Sequence, residues 1–151
     1  MIQLRSAKIN DTECIAQILR SSRSKYLPFI NLVHTPDQDR QWVRKILIPT
    51  NDVVIAQLDG KDVGVLATTV TEGIGWIEQL YIAPGFISRG IGTELLTHAL
   101  KVLPRPIHLW TFQQNDRAIR FYEYHGFSAI EFTDGKHNEE KCPDVLYEYN
   151  K

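Results

Sequence analysis

The chain has 151 residues, the size of one average domain, since a second unit in that length would leave neither with a proper core. Hydrophobic residues at 43%, charged residues at 23%, and only 9 Gly and 7 Pro exclude collagenous, disordered and disulfide-scaffold classes. Lys+Arg 17 against Asp+Glu 18 gives a formal charge of −1, so no global positive field gathers nucleic acid or an anionic membrane, and a small-molecule or peptide substrate is favoured.

No apolar run approaches the ~18–20 residues of a membrane span, and Met1-Ile2-Gln3-Leu4-Arg5 turns polar too soon for a secretory signal. A cytoplasmic protein is expected. Cys14 and Cys142 lie in no CxxC pair and read as free thiols. The five histidines (34, 98, 108, 125 and 137) show no ligand spacing, so no metal is expected.

In chain order, Gln3 to Ile9 alternates weakly and reads as a strand, and Thr12 to Leu19 places apolar residues at helical intervals. Thr35-Pro36-Asp37-Gln38 is a helix start with Thr35 as N-cap, Pro36 at the first helical position and Gln38 closing a capping box. Trp42, Val43 and Ile46 supply its apolar face, and it ends near Pro49. Runs 52–58 and 62–70 flank Asp59-Gly60-Lys61 as a hairpin, and 76–82 is a third strand. Ile91, Leu95, Leu96, Ala99, Leu100 and Leu103 recur with helical period until Pro104-Arg105-Pro106 stops them before a strand at 107–112. Asn115 opens a further helix that Gly126-Phe127 closes, and strands at about 127–133 and 144–149 finish the chain. The order β-α-α-β-β-β-α-β-α-β-β belongs to one α+β domain over 1–151.

Between Leu80 and Leu96 a strand, a loop and a helix follow one another, with Gly90 and Gly92 around the helix start. Unpaired N–H groups and the positive dipole end there suit an anion, and glycine lets a diphosphate approach the backbone. Glycine's φ freedom in a loop explains the pair equally well. The GxGxxG and P-loop patterns are absent, because Leu95 stands where the former needs glycine and Gly-Lys-Ser/Thr never occurs.

Pro84 followed by Arg89-Gly90-Ile91-Gly92 resembles the acyl-CoA signature Q/R-x-x-G-x-G/A of the GNAT superfamily of N-acetyltransferases, with Ile87 in place of the first Gln or Arg. Asn115, Ala118, Phe121, Tyr122, Gly126 and Phe127 resemble that family's second motif, N-x-x-A-x-x-F/L-Y-x-x-x-G-F. The resemblance implies a mixed, mostly antiparallel sheet of about seven strands flanked by about four helices. It also implies acetyl-CoA as cosubstrate and transfer of its acetyl group to a primary amine by direct attack. A non-catalytic acyl-CoA-binding or regulatory module on the same scaffold is the alternative, followed by a protein-interaction domain that binds no CoA. A homodimer is left open.

On this resemblance Leu80, Tyr81 and Ile82 would offer strand backbone to pantetheine, and Ser88, Arg89, Gly90, Ile91, Gly92 and Thr93 would surround the diphosphate. Asn115, Ala118 and Tyr122 share a helix face that could follow the pantetheine arm. Asn115 also reads as a plain N-cap, and Tyr122 as a packing aromatic. A phenol of pKa ~10 is still protonated at pH 7 and suits the acid that protonates the departing thiolate, which makes Tyr122 the candidate. An acceptor amine of pKa ~10.4 must lose a proton to a base or to water. Glu78 is the candidate, on the assumption that Trp76, Glu78, Leu80 and Ile82 share one strand face. His125 is a second, and Trp110 stands about where some relatives carry a base.

The segment Thr133-Asp134-Gly135 through Asn138-Glu139-Glu140 to Pro143-Asp144 resembles a pattern from an uncharacterised bacterial branch of the superfamily. With Glu131, it concentrates acids that could attract a cationic acceptor, so His125, Glu131, Asp134 and Glu139 are candidate substrate residues. A polar connection between strands explains the same residues.

Overall fold

The computed structural model describes residues 1–151. Seven strands, β1 (Ile2–Ser6), β2 (Asp52–Leu58), β3 (Lys61–Thr71), β4 (Ile74–Ile82), β5 (Ile107–Phe112), β6 (Ser128–Phe132) and β7 (Asp144–Tyr149), form one sheet in the order β1-β2-β3-β4-β5-β7-β6. The principal helices are α1 (Thr12–Tyr26), α2 (Pro36–Trp42), α3 (Ile91–Val102) and α4 (Asp116–Tyr124). No helix is long and apolar enough to cross a membrane.

The sheet separates two cores. Val65 and Ala67 of β3 pack with Ile15, Leu19, Val43 and Leu47, whereas Leu66 between them packs with Leu95, Leu96, Leu109 and Tyr122. Cover on both faces explains why Val63–Thr68 is buried throughout rather than alternating. Gly64 lets α3 approach, since a Cβ there would lie 3.0 Å from both Ile91 Cγ2 and Leu95 Cδ1.

All neighbouring strands are antiparallel except β4 and β5, which pair in parallel only at Gly75–Ile107 and Trp76–His108. Beyond those two pairs the strands part, leaving the main chain of β4 from Ile77 to Ile82 without a partner on that side. In the second half of the sheet β7 lies between β5 and β6.

The expected single face of Trp76, Glu78, Leu80 and Ile82 does not form. Thr68 pairs with Ile77 and Ala67 with Gln79, so Glu78 is the extra residue of a β-bulge. Beyond the bulge Leu80 and Ile82 join Ile77 on the α3 side and Tyr81 packs on the α1 side, while Glu78 accepts a hydrogen bond from Thr69 Oγ1 at 2.9 Å. The expected apolar face of the second helix also shifts. Its capping box forms, with Gln38 N donating to Thr35 Oγ1 at 3.1 Å and Thr35 N to Gln38 Oε1 at 2.9 Å. However, α2 continues as a π-helical turn, Val43–Leu47, whose wider period buries Val43 and Leu47 and leaves Trp42 and Ile46 exposed.

Candidate active site

Where β4 and β5 part, a cleft of about 460 Å³ opens. One wall is Leu80, Tyr81 and Ile82 of β4, the opposite wall is Asn115, Ala118, Phe121 and Tyr122, and the end of α1 contributes Ser22, Tyr26 and Leu27. Its floor is the loop from Phe86 to Gly90 with the first residues of α3.

That loop is shaped by left-handed residues, Ser88 at φ 66° and Gly90 at φ 83°. Gly90 is the N-cap of α3 and supplies no side-chain cap, so first-turn N–H groups stay free for an anion. Gly92 lies one residue into the helix, and a Cβ there would meet only the Phe121 ring, at the ordinary distance of 3.4 Å. Packing within the protein does not demand glycine at 92, and the space above it belongs to the cleft.

Asn115 caps α4, its Oδ1 accepting from Ala118 N at 3.3 Å, and lines the cleft as well. Tyr122 is 7% exposed, edge-on to Phe121 and Phe127 at ring-centroid distances of 5.3 and 5.5 Å. Burial, and secondarily the nearby Tyr81 hydroxyl, push the Tyr122 phenol well above its ordinary value. Tyr81 is raised too, by burial first, with Arg23 opposing and Glu140 adding.

The remaining candidates are dispersed. Ile91 is 1% exposed with its side chain in the core, so only its main chain can serve the cleft. Arg89 sits outside the lining with its guanidinium 5.4 Å from the centroid of the Phe86 ring. Glu78 is exposed and lines neither the cleft nor its neighbours. His125 ends α4 with its ring against Phe121 and Tyr124, away from the cleft lining. Glu131 lines a separate polar cavity of about 490 Å³ with Trp110 and His137. Asp134 accepts from Lys136 N at 3.0 Å and pairs with its Nζ at 3.6 Å.

The acidic segment ties itself into shape. Gly135 N donates to Thr133 Oγ1, Thr133 Oγ1 to Asp144, and Asn138 Nδ2 to Cys142 O and Asp144 Oδ2. Glu139 and Glu140 point outward, to His34 and Arg23 respectively, the latter pair at 2.8 Å. Together with the Arg20–Asp39 pair at 2.7 Å they surround a cavity of about 370 Å³ between α1, α2 and this segment, with Gln79 of β4 on its wall.

Sequence reasoning did not find Ser22, Tyr26, Leu27, Arg117, Arg120 or the Arg23–Glu140 pair. Ser22 is 4% exposed and donates from Oγ to Ile82 O at 3.0 Å, yet it sits among polar neighbours that carry no periodic signal. The two arginines lie inside the second motif at its variable positions.

Residues 16–127 match the profile of the acetyltransferase (GNAT) family. The chain is 28% identical over 108 residues to an uncharacterised N-acetyltransferase of Methanocaldococcus jannaschii, covering 63% of this chain and 48% of that protein. It is 33% identical over 81 residues to one of Archaeoglobus fulgidus, covering 46% of this chain and 55% of that protein. The chain thus spans about half the length of the curated relatives it matches. In fold it resembles the PaiA N-acetyltransferase of Thermoplasma acidophilum in complex with coenzyme A, with a TM-score of 0.80 and 20% identity over 100% of this chain and 99% of the other.

Proposed function

The chain belongs to the acetyltransferase (GNAT) family, and from that premise we propose that it transfers the acetyl group of acetyl-CoA directly to a primary amine, with Tyr122 as the acid. The observation that carries this reading is one continuous cleft with a helix-start anion cradle on its floor and a buried, protonated phenol on its wall. The diphosphate lies on the N–H groups around Gly90 and Gly92. Pantetheine takes the place of the missing strand neighbour along Leu80–Ile82, hydrogen-bonding main chain that β5 leaves unpaired.

The acceptor nitrogen, once neutral, attacks the thioester carbonyl and forms a C–N bond. The tetrahedral intermediate then collapses with cleavage of the C–S bond, the sulfur takes its proton from Tyr122, and the phenolate left behind recovers a proton from water. The amine's own proton leaves through water, a route favoured by the position of Glu78 outside the cleft. The acceptor occupies the cavity between α1, α2 and the acidic segment, beside Gln79. Of the acids around it, Asp39, Glu139 and Glu140 already face Arg20, His34 and Arg23, and Glu131 and Asp134 lie outside its lining, so any attraction they exert on a second cationic group acts from beyond the cavity.

Thermal denaturation with ligands tests the donor assignment. Acetyl-CoA at about 100 times its Kd adds ~2.7 kcal/mol of stability, whereas ATP and NADH at equal concentration shift the melting temperature much less. A shift from ATP or NADH as large as that from acetyl-CoA contradicts the assignment.

A further inference from the structure

The cavity between α1, α2 and the acidic segment, about 370 Å³, falls in the ~300–1,000 Å³ range of small-molecule sites. Its charged groups already answer one another: Arg20 pairs with Asp39 at 2.7 Å, Arg23 with Glu140 at 2.8 Å, and His34 faces Glu139. Every carboxylate of the lining thus has a basic partner, and a second ammonium brought there loses water and gains no counter-charge. What the lining leaves open is apolar. Trp42 is 40% exposed, Leu32 38% and Val33 49%, and all three border this cavity. One exposed apolar side chain is ordinary, but three on the wall of one cavity are a surface that a bound apolar group would cover. Trp42 immediately precedes the π-helical turn Val43–Leu47, whose wider period buries Val43 and Leu47 and leaves the indole beside the cavity. Ile46, exposed on that same turn, lies outside the lining.

We infer that this cavity selects primary amines whose body is apolar and whose only charge is the reacting ammonium, with Trp42, Leu32 and Val33 setting the preference. The inference rests on the acetyl-transfer reading and narrows its acceptor to one chemical class. The reacting nitrogen gives up its charge before it attacks, so it leaves no cation to be held in the cavity. A second ammonium elsewhere in the molecule has no such outlet, and placing it among ion pairs that are already complete is unfavourable. Glu139, an expected contact for a cationic acceptor, is taken by His34. Apolar carbons, by contrast, gain by covering Trp42, Leu32 and Val33, and each buried methylene multiplies affinity roughly threefold to fourfold.

The test is thiol release from acetyl-CoA with three amines of equal length, hexylamine, 5-aminopentan-1-ol and 1,5-diaminopentane, which end in a methyl, a hydroxyl and an ammonium. Wild type is expected to use hexylamine with a kcat/KM about tenfold or more above either of the others, the discrimination that one group in an apolar pocket supplies. Trp42→Ala raises KM for hexylamine and draws the three values together, while kcat stays close to wild type, and Leu32→Ser does the same in part. Ile46→Ala, on the same helical segment but outside the lining, keeps the wild-type preference. Trp42 and Leu32 are exposed, and far-UV circular dichroism of each variant should match wild type. Use of 1,5-diaminopentane as efficiently as hexylamine, or an undiminished preference in both Trp42→Ala and Leu32→Ser, overturns the apolar class and leaves acetyl transfer intact. Thiol release with amino acids or aminoglycosides but none with hexylamine does the same. Absence of thiol release with every amine overturns both.

Discussion

Tyr122 has its ring edge-on to Phe121 and Phe127, and burial keeps its hydroxyl protonated far above neutral pH. Tyr122→Phe removes one hydroxyl and keeps the packing, so kcat should fall by ~10²–10⁴, the range for a general acid, while the acetyl-CoA dissociation constant stays within a few fold. Turnover equal to wild type when chemistry is limiting would remove Tyr122 from the step. Gly92→Val tests the floor of the cleft. An added Cβ meets only the Phe121 ring at 3.4 Å and valine is a better helix former than glycine, so the fold should survive while coenzyme A binding is abolished; unchanged affinity would place the diphosphate elsewhere. Both residues were legible because each sits in a motif with fixed spacing. Glu78 shows what spacing misses: an alternation argument assumes an unbroken strand, and the bulge at that residue turns it from Leu80 and Ile82 toward Thr69.

The segment between β6 and β7 behaves as one element. Its threonine, its glycine, its asparagine and its last aspartate bond to one another and to the Cys142 backbone, which leaves Glu139 and Glu140 to reach His34 and Arg23. Gly135 is indispensable there, at φ 82° with the carbonyl carbon and oxygen of Cys142 only 2.3 Å from where a Cβ would stand. Gly135→Ala should therefore destabilise by more than ~1 kcal/mol and weaken acceptor binding more than acetyl-CoA binding, read as a lower melting temperature and a raised acceptor KM. A variant as stable as wild type would mean the segment rearranges freely. The sequence singled out this stretch by its pattern, but its reach to α1 and α2 depends on contacts more than a hundred residues apart, which no local pattern encodes. The helix beginning at Pro36 teaches the same from the other side: its capping box is written in four consecutive residues, whereas the π-helical turn that buries Leu47 in place of Ile46 is set by packing against α1.

At the scale of the molecule, the order of elements was readable from periodicity and breakers, and the order of strands was not. Nothing local to β7 says that it pairs between β5 and β6, and nothing local to β5 says that it leaves β4 after two residue pairs, where the cleft opens. The same packing sets a response to alkali. Burial first, and then the Glu123 carboxylate that accepts from its hydroxyl at 2.8 Å, push Tyr147 up to about 12, and Tyr122 is raised by burial as well. An unfolded phenol ionises near ~10, so the folded chain holds these protons more tightly, and the stability they contribute is complete below pH ~10 and is lost as pH rises toward about 12. Denaturant midpoints should fall across that window and less steeply in Tyr147→Phe; an identical decline in the variant would assign the effect elsewhere. Acetyl transfer to an amine is measured most directly as free thiol release from acetyl-CoA in the presence and absence of a panel of amines, amino acids, aminoglycosides and peptides, with the acceptor recovered and identified by mass. Thiol release should require an amine and yield its N-acetyl derivative in equal amount, and acetyl-CoA that binds without acetylating any member of the panel would overturn the assignment of the reaction.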